Sequence, residues 1–325
     1  NMLDTLGEMS RTDLYSYLKE WEQLTPLPFY SIGEPELTKV VNKGGEEFFV
    51  LKVLVSNNSD YDGIIQMNVL QNGWWYQPME DPRARKKVEI AAHTSKEFVS
   101  VWEEQIRDVE INTMVSGNLP YMIRQSIGNV KQERNKIVKD TIYTLPESSL
   151  EMPGEVIVDN EDSTLFVLST PAVVGLLPKW LDKVEDTSFK YSGISWWRAP
   201  LQWTATTNAK YYGKYIRSAY VIKSGDGSQT ATWKIPVPEA GQYELYYHVF
   251  KDDELRWNDR LQGEYHFRVA YDSEMEDAYI NLRKANEGWE QLGTYYFSAD
   301  TVRVVLTDEC KLRSVTADAV KIVKR

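Results

Sequence analysis

Ala231-Thr232-Trp233-Lys234-Ile235-Pro236-Val237-Pro238-Glu239-Ala240-Gly241-Gln242-Tyr243-Glu244-Leu245-Tyr246 is the stretch that decides the fold. From Thr230 to Ile235 small and large residues alternate, the period-two signature of a strand with one buried face. Pro236-x-Pro238 followed by Gly241 makes a protected edge and a turn. The alternating aromatics from Tyr243 to Phe250 then read as a longer strand. Trp233 is assigned to the core.

Downstream the same pattern continues. Gly263 to Tyr271, Gly293 to Phe297, Val302 to Thr307 and Ser314 to Val323 read as strands, with Gly, Pro and Asp at the turns that hairpins need. Gly288-Trp289 and Leu292-Gly293 place a large ring beside residues that allow close backbone approach, so Trp289 is also assigned to the core. Asp318, between two alanines near a core strand, is expected to accept backbone hydrogen bonds as a structural lock. Upstream, Glu155 to Val158 is a strand ending in the acidic turn Asp159-Asn160-Glu161-Asp162. A short helix is expected over Val173 to Val184, ahead of a Trp-rich stretch from Ser195 to Trp203.

In the first half, Phe48 to Ser56 reads as a central strand buried on both faces. Ile64 to Leu70, Val88 to Ile90, Glu97 to Trp102 and Val109 to Val115 continue the series, with turns such as Asn57-Asn58-Ser59-Asp60 between them. This spacing points to an immunoglobulin-like or fibronectin-like sandwich. Arg83, Arg85, Lys86 and Lys87 read as a solvated turn. Ahead of the strands, Leu14, Tyr17, Leu18, Trp21 and Leu24 recur at helical spacing until Thr25-Pro26-Leu27-Pro28 stops them. The expected organisation is a leading helix over 1–28, a sandwich over 29–120, a linker over 121–154 and a second sandwich over 155–325. The fold class is all-β, two β-sandwiches, the second jelly-roll-like.

The Ala231–Tyr246 run resembles the core of the golvesin and xanthan lyase C-terminal-like domain. Gly288 to Phe297, Val302 to Asp308 and Thr316-Ala317-Asp318-Ala319-Val320 agree with that family in the expected order, as do Ile157 to Asp162 and Tyr211-Tyr212-Gly213. The resemblance implies a jelly-roll-like sandwich, similar to carbohydrate-binding modules, appended to larger secreted or envelope proteins of bacteria. It implies a periplasmic, cell-surface or secreted location. The stretch Ser163 to Pro200 is longer than the family leads one to expect between the first strand and the Tyr211-Tyr212-Gly213 segment. At the other end, Asp13 to Trp21 with Pro26-x-Pro28 and a sandwich resembles the region after the helical domain of zinc aminopeptidases. The chain starts Asn-Met-Leu-Asp and is read as an excerpt, with any catalytic part outside it.

Composition bounds the chemistry. The 325 residues are 42% hydrophobic and 26% charged, enough for packed cores. One cysteine excludes an internal disulfide, and Cys310 reads as a small buried hydrophobe. Three histidines with no His-Glu-x-x-His exclude that peptidase motif. A formal charge of −11 argues against nucleic acid. No apolar run approaches the roughly 18–20 residues that span a bilayer.

The aromatic supply, 11 Trp and 20 Tyr, favours binding over catalysis. Sugars stack their apolar faces on exposed rings. Trp257, in the polar loop Asp252 to Arg260, is the leading candidate. Trp196 and Trp197 come next, because two adjacent rings cannot both face one core from a strand. Trp203 and Tyr212, beside Tyr211, complete the set, and Trp74-Trp75-Tyr76 makes the same case in the first half. His248 and His266 are expected to pair across adjacent strands. Asp159 to Asp162 and Asp252 to Glu254 could hold a structural Ca2+ but lack EF-hand spacing and read as solvated turns. The functional expectation is a non-catalytic accessory region whose second sandwich binds polysaccharide or glycan. The alternative is a structural or protein-docking module. In either case its other partners are further domains of the same polypeptide.

Overall fold

Period-two alternation becomes strands wherever one face has a core to meet. A computed structural model describes residues 27–70, 81–128, 130–134, 138–147, 150, 154–169, 190–191, 193–194, 198–251, 263–298 and 300–325. The chain divides into two compact units, Asn1–Ser149 and Leu150–Arg325. Both are built from β-sheets, and the fold is all-β. The leading helix and the short helix over 173–184 lie outside the described residues.

The first unit holds β1 (Tyr30–Ile32), β2 (Glu36–Val41), β3 (Glu47–Asn57), β4 (Gly63–Leu70), β5 (Arg85–Ile90), β6 (Thr94–Trp102), β7 (Asp108–Asn112), β8 (Met122–Ser126), β9 (Val130–Arg134) and β10 (Thr141–Pro146). One sheet runs β10-β6-β3-β2-β9 with β1 also paired to β3, and the other runs β5-β4-β7-β8. Leu51, Val53 and Val55 of β3 meet Ile65, Met67 and Val69 of β4 in the shared core. On the opposite face of β3, Val50 packs with Val40 and Val99. The strand is therefore buried on both sides, as its near-continuous apolar run requires. Asn118, buried, holds β1 in place by accepting from the Tyr30 N–H at 2.9 Å and donating to the Tyr30 carbonyl at 2.8 Å.

The segment read as a linker over 121–154 is corrected by the structure. It carries β8, β9 and β10, which lie at the ends of the two sheets, β9 parallel to β2. Edge strands with little or no buried face leave no alternation to read. Every described side chain of β10 after Thr141 is exposed, and β9 has none buried. The basic cluster also differs from a simple turn: Arg83 sits in a short 3-10 helix (Pro82–Ala84), while Arg85, Lys86 and Lys87 open β5.

The second unit holds β11 (Glu155–Val158), β12 (Phe166–Leu168), β13 (Thr204–Thr207), β14 (Ser218–Lys223), β15 (Thr230–Pro236), β16 (Gly241–Val249), β17 (Glu264–Tyr271), β18 (Glu274–Asn281), β19 (Gly288–Phe297), β20 (Thr301–Thr307), β21 (Ser314–Ala317) and β22 (Val320–Lys324). They form sheets β11-β22-β16-β19, β12-β15-β20-β17-β18 and β13-β14-β21 around one core. Trp233 on β15 is 0% exposed and lies against Phe166 and Tyr247, with centroids 5.3 and 6.1 Å away. Two glycines are required by geometry. Gly225 lies where a Cβ would meet the Asp308 carboxylate at 2.0 Å, the carboxylate that accepts from the Gly227 and Gln229 N–H groups. Gly213 has φ +151° and would drive a Cβ to 1.9 Å from the Ile216 carbonyl oxygen.

Candidate functional site

The outer face of the sheet β11-β22-β16-β19 carries a cluster of aromatic and charged side chains. It is organised by Asp318, in the short turn between β21 and β22. Asp318 is 0% exposed. Its carboxylate accepts from the Tyr212 N–H at 3.2 Å through both oxygens and pairs with Nδ1 of His248 at 2.8 Å. Its backbone carbonyl accepts from Nε1 of Trp233 at 3.2 Å. Burial pushes the Asp318 pKa up, while His248 and the Tyr212 N–H pull it back. The turn thus ties the largest core side chain to the surface above it.

Asp318 fixes the imidazole of His248, whose Nε2 makes no hydrogen bond to any described residue. Around that ring stand Trp289 at 5.1 Å and Tyr212 at 5.8 Å, with Tyr212 and Trp289 themselves 5.1 Å apart. Lys321 on β22 places its ammonium 4.8 Å from the Trp289 centroid and 5.4 Å from that of Tyr246. The same ammonium bonds Glu155 on β11 at 2.8 Å. Three rings and a cation therefore sit half-buried on one sheet face, held from beneath by a buried carboxylate.

Trp289 is a correction to the sequence reading, which put it in the core. Phe297 and Tyr295 point inward, so strict alternation backwards along β19 would carry Gly293, Gln291 and Trp289 inward too. The pairing with β16 breaks that count. Leu245 faces Gly293, but the next residue, Tyr246, faces Gln291, which leaves Leu292 as an extra residue in β19. A bulge of one residue reverses the phase of everything beyond it. Trp289 is thereby turned to the outer face, directly opposite His248.

The expected histidine pair is also corrected. His248 lies on β16 and His266 on β17, in different sheets. His266 instead bonds Asp277 at 2.9 Å and stacks on Tyr279. Tyr212 stands in the cluster just described. Trp203 packs against the core, its Nε1 buried without a partner among the described residues. Tyr211 is buried against Phe250 at 4.7 Å. Trp196, Trp197, Trp257, Trp74, Trp75 and Tyr76 lie outside the described residues, as does Asp252 to Glu254. Cys310 is half-buried, and burial pushes its thiol up, away from nucleophilic character.

The acidic turn engages its oxygens internally. Glu161 accepts from Ser218 and pairs with Lys190 at 2.7 Å, and Asp162 accepts from Thr164 at 2.7 Å. Among the described residues no three His, Cys, Asp or Glu side chains gather as a metal site. Asp159 behaves differently. Burial first, then the nearby charge of Asp318, pushes its pKa well above the ordinary carboxylate range. In the unfolded chain Asp159 ionises at its ordinary value; in the fold it keeps its proton to higher pH. Its contribution is therefore favourable at low pH and is lost as pH rises from the ordinary value to the raised one. Asp159→Asn is expected to melt above the parent at about pH 7, with the gap closing toward about pH 3. Equal melting temperatures at both ends would remove this account of Asp159.

Residues 196–324 match the Golvesin C-terminal domain. The matched residues lie within the second unit. That match takes in every ring of the cluster, together with Asp318 and Lys321. No curated protein matches the chain. Among solved structures, the chain is similar to a Podospora anserina GH26-CBM35 β-(1,4)-mannanase, with 11% identity and a TM-score of 0.27 over 54% of this chain and 28% of that one. It is also similar to Bacteroides uniformis β-glucuronidase 2, with 11% identity and a TM-score of 0.24 over 90% of this chain and 30% of that one. The chain spans less than a third of the length of either. No helix among the described residues is long and apolar enough to cross a membrane.

Proposed function

We propose that this chain is a non-catalytic accessory region of a larger bacterial envelope or secreted protein, and that its golvesin domain binds polysaccharide or glycan on the face around Trp289. The observation that carries this reading is the bulge in β19. It turns Trp289 out of the core and sets it among Tyr212, His248 and Lys321 on a base fixed by Asp318. Rings offer sugars an apolar platform, and the imidazole and ammonium supply the few polar groups that orient hydroxyls. Preorganisation by a buried carboxylate lowers the ordering cost of binding. The carboxylate–imidazole pair alone does not make a hydrolase, because a nucleophile within its reach is also needed.

Affinity electrophoresis of the full chain against a panel of neutral polysaccharides tests this. At least one polymer is expected to retard the chain, and Trp289→Ala is expected to weaken that retardation at least about tenfold, the loss of a central aromatic anchor. Retardation by none, or equal retardation of the variant, would favour a purely structural or docking module. Hydrolysis of a polymer by the purified chain would contradict both readings.

A further inference from the structure

We propose that the outer face of the five-stranded sheet β12-β15-β20-β17-β18 is a second binding surface, for a carboxylate-bearing polysaccharide. Alternation sends Trp233, Val304 and Phe267 into the core, so Lys234, Arg303 and Arg268 stand on the opposite face. Lys234 lies directly across from Arg303, whose other neighbour is Ala270. Like charges directly opposite each other destabilise a sheet unless something neutral or negative lies between. Among the described residues, none forms an ion pair or side-chain hydrogen bond with Lys234, Arg303 or Arg268.

Arg268 lies on the same face, between Val305 of β20 and Asp277 of β18. The Asp277 carboxylate is engaged by Nε2 of His266 at 2.9 Å. Nε of Arg268 is buried without a hydrogen-bond partner among the described residues. In a chain of net charge −11, Lys234 and Arg303 face each other with no ion pair among the described residues and mark a site for an anion, while Asp277 across from Arg268 and Glu309 beside His266 keep the anion to that end of the face.

The groups adjoining the cations set the shape of the ligand. Tyr279 is 58% exposed and stacks on His266, centroids 5.0 Å apart at an interplanar angle of 15°. His266 is braced in turn by Asp277 and by Thr307 at 3.3 Å. Tyr279 lies diagonally across from Arg268 on this face, with Arg303 and Lys234 farther along it, an order that suits a polymer of sugars that carry carboxylates: the ring takes the apolar face of one unit and Arg303 donates to the acid of another in bidentate fashion. An acidic peptide would use the cations and leave the platform idle. This surface is independent of the face around Trp289.

Affinity electrophoresis of the full chain in gels containing polygalacturonate, dextran sulfate, polyglutamate or neutral dextran separates the outcomes. Polygalacturonate is expected to retard the chain despite its net negative charge, and added salt to weaken the retardation. The double variant Arg303→Gln, Lys234→Gln is expected to raise the dissociation constant at least about tenfold with a melting temperature at or above that of the parent, since it also removes the repulsion between the two cations. Trp289→Ala is expected to leave polygalacturonate binding intact. Absent retardation, equal retardation of the double variant, or loss of binding in Trp289→Ala would overturn the proposal. Equal retention by polyglutamate or dextran sulfate would overturn it as well, since charge alone would then suffice.

Discussion

Asp318→Ala is expected to lower the stability of the second unit by about 3 kcal/mol or more, read as a fall in the urea midpoint of its unfolding transition. The carboxylate is fully buried and serves two donors, the Tyr212 N–H and Nδ1 of His248. Alanine leaves both donors without an acceptor where water does not replace it, and each orphaned donor costs about 1–3 kcal/mol. Asp318→Asn separates the contributions. Its amide oxygen still accepts from one donor, so a smaller loss is expected than for alanine. Equal midpoints for parent and Asp318→Ala would show that the turn between β21 and β22 does not organise the face above it.

The second large effect is at Trp233. Trp233→Ala is expected to cost about 3–5 kcal/mol, the range for removing a large aromatic side chain from a packed core. Trp233 is fully buried between β12 and β16, and its Nε1 donates to the Asp318 carbonyl. Trp233→Phe keeps most of the ring and removes that donor, so it is expected to be milder and to leave the Asp318 carbonyl oxygen unpaired. Equilibrium denaturation of both variants measures this; a loss below about 1 kcal/mol for Trp233→Ala would contradict the central place given to this ring.

The strands that face a core were legible as alternation, because burial of every second residue is what sets the pattern. Trp233, Val304 and Phe267 fall where period two puts them. β8, β9 and β10 were illegible for the converse reason: at sheet edges with few buried side chains, Val130 to Arg134 and Thr141 to Pro146 look like solvated loop. The site was legible only in pieces. Tyr212 was a candidate, and Asp318 stood out as a carboxylate between two alanines. That they meet, across a separation of 106 residues, comes from sheet topology rather than from any local signal. Trp289 was misplaced because a single extra residue, Leu292, reverses the facing of the strand beyond it. The Leu292-Gly293 pair was the available hint, since an isolated glycine inside a strand pattern often marks a bulge.

Selective 15N labelling of tryptophan tests most directly whether the face around Trp289 binds glycan. In heteronuclear spectra of the full chain, the indole cross-peak that disappears in Trp289→Ala belongs to Trp289. Titration with the polysaccharide that retards the chain is expected to shift that peak saturably, while the peak of the buried Trp233 stays in place. A stationary Trp289 peak at saturating polymer, with other indoles moving, would contradict the account.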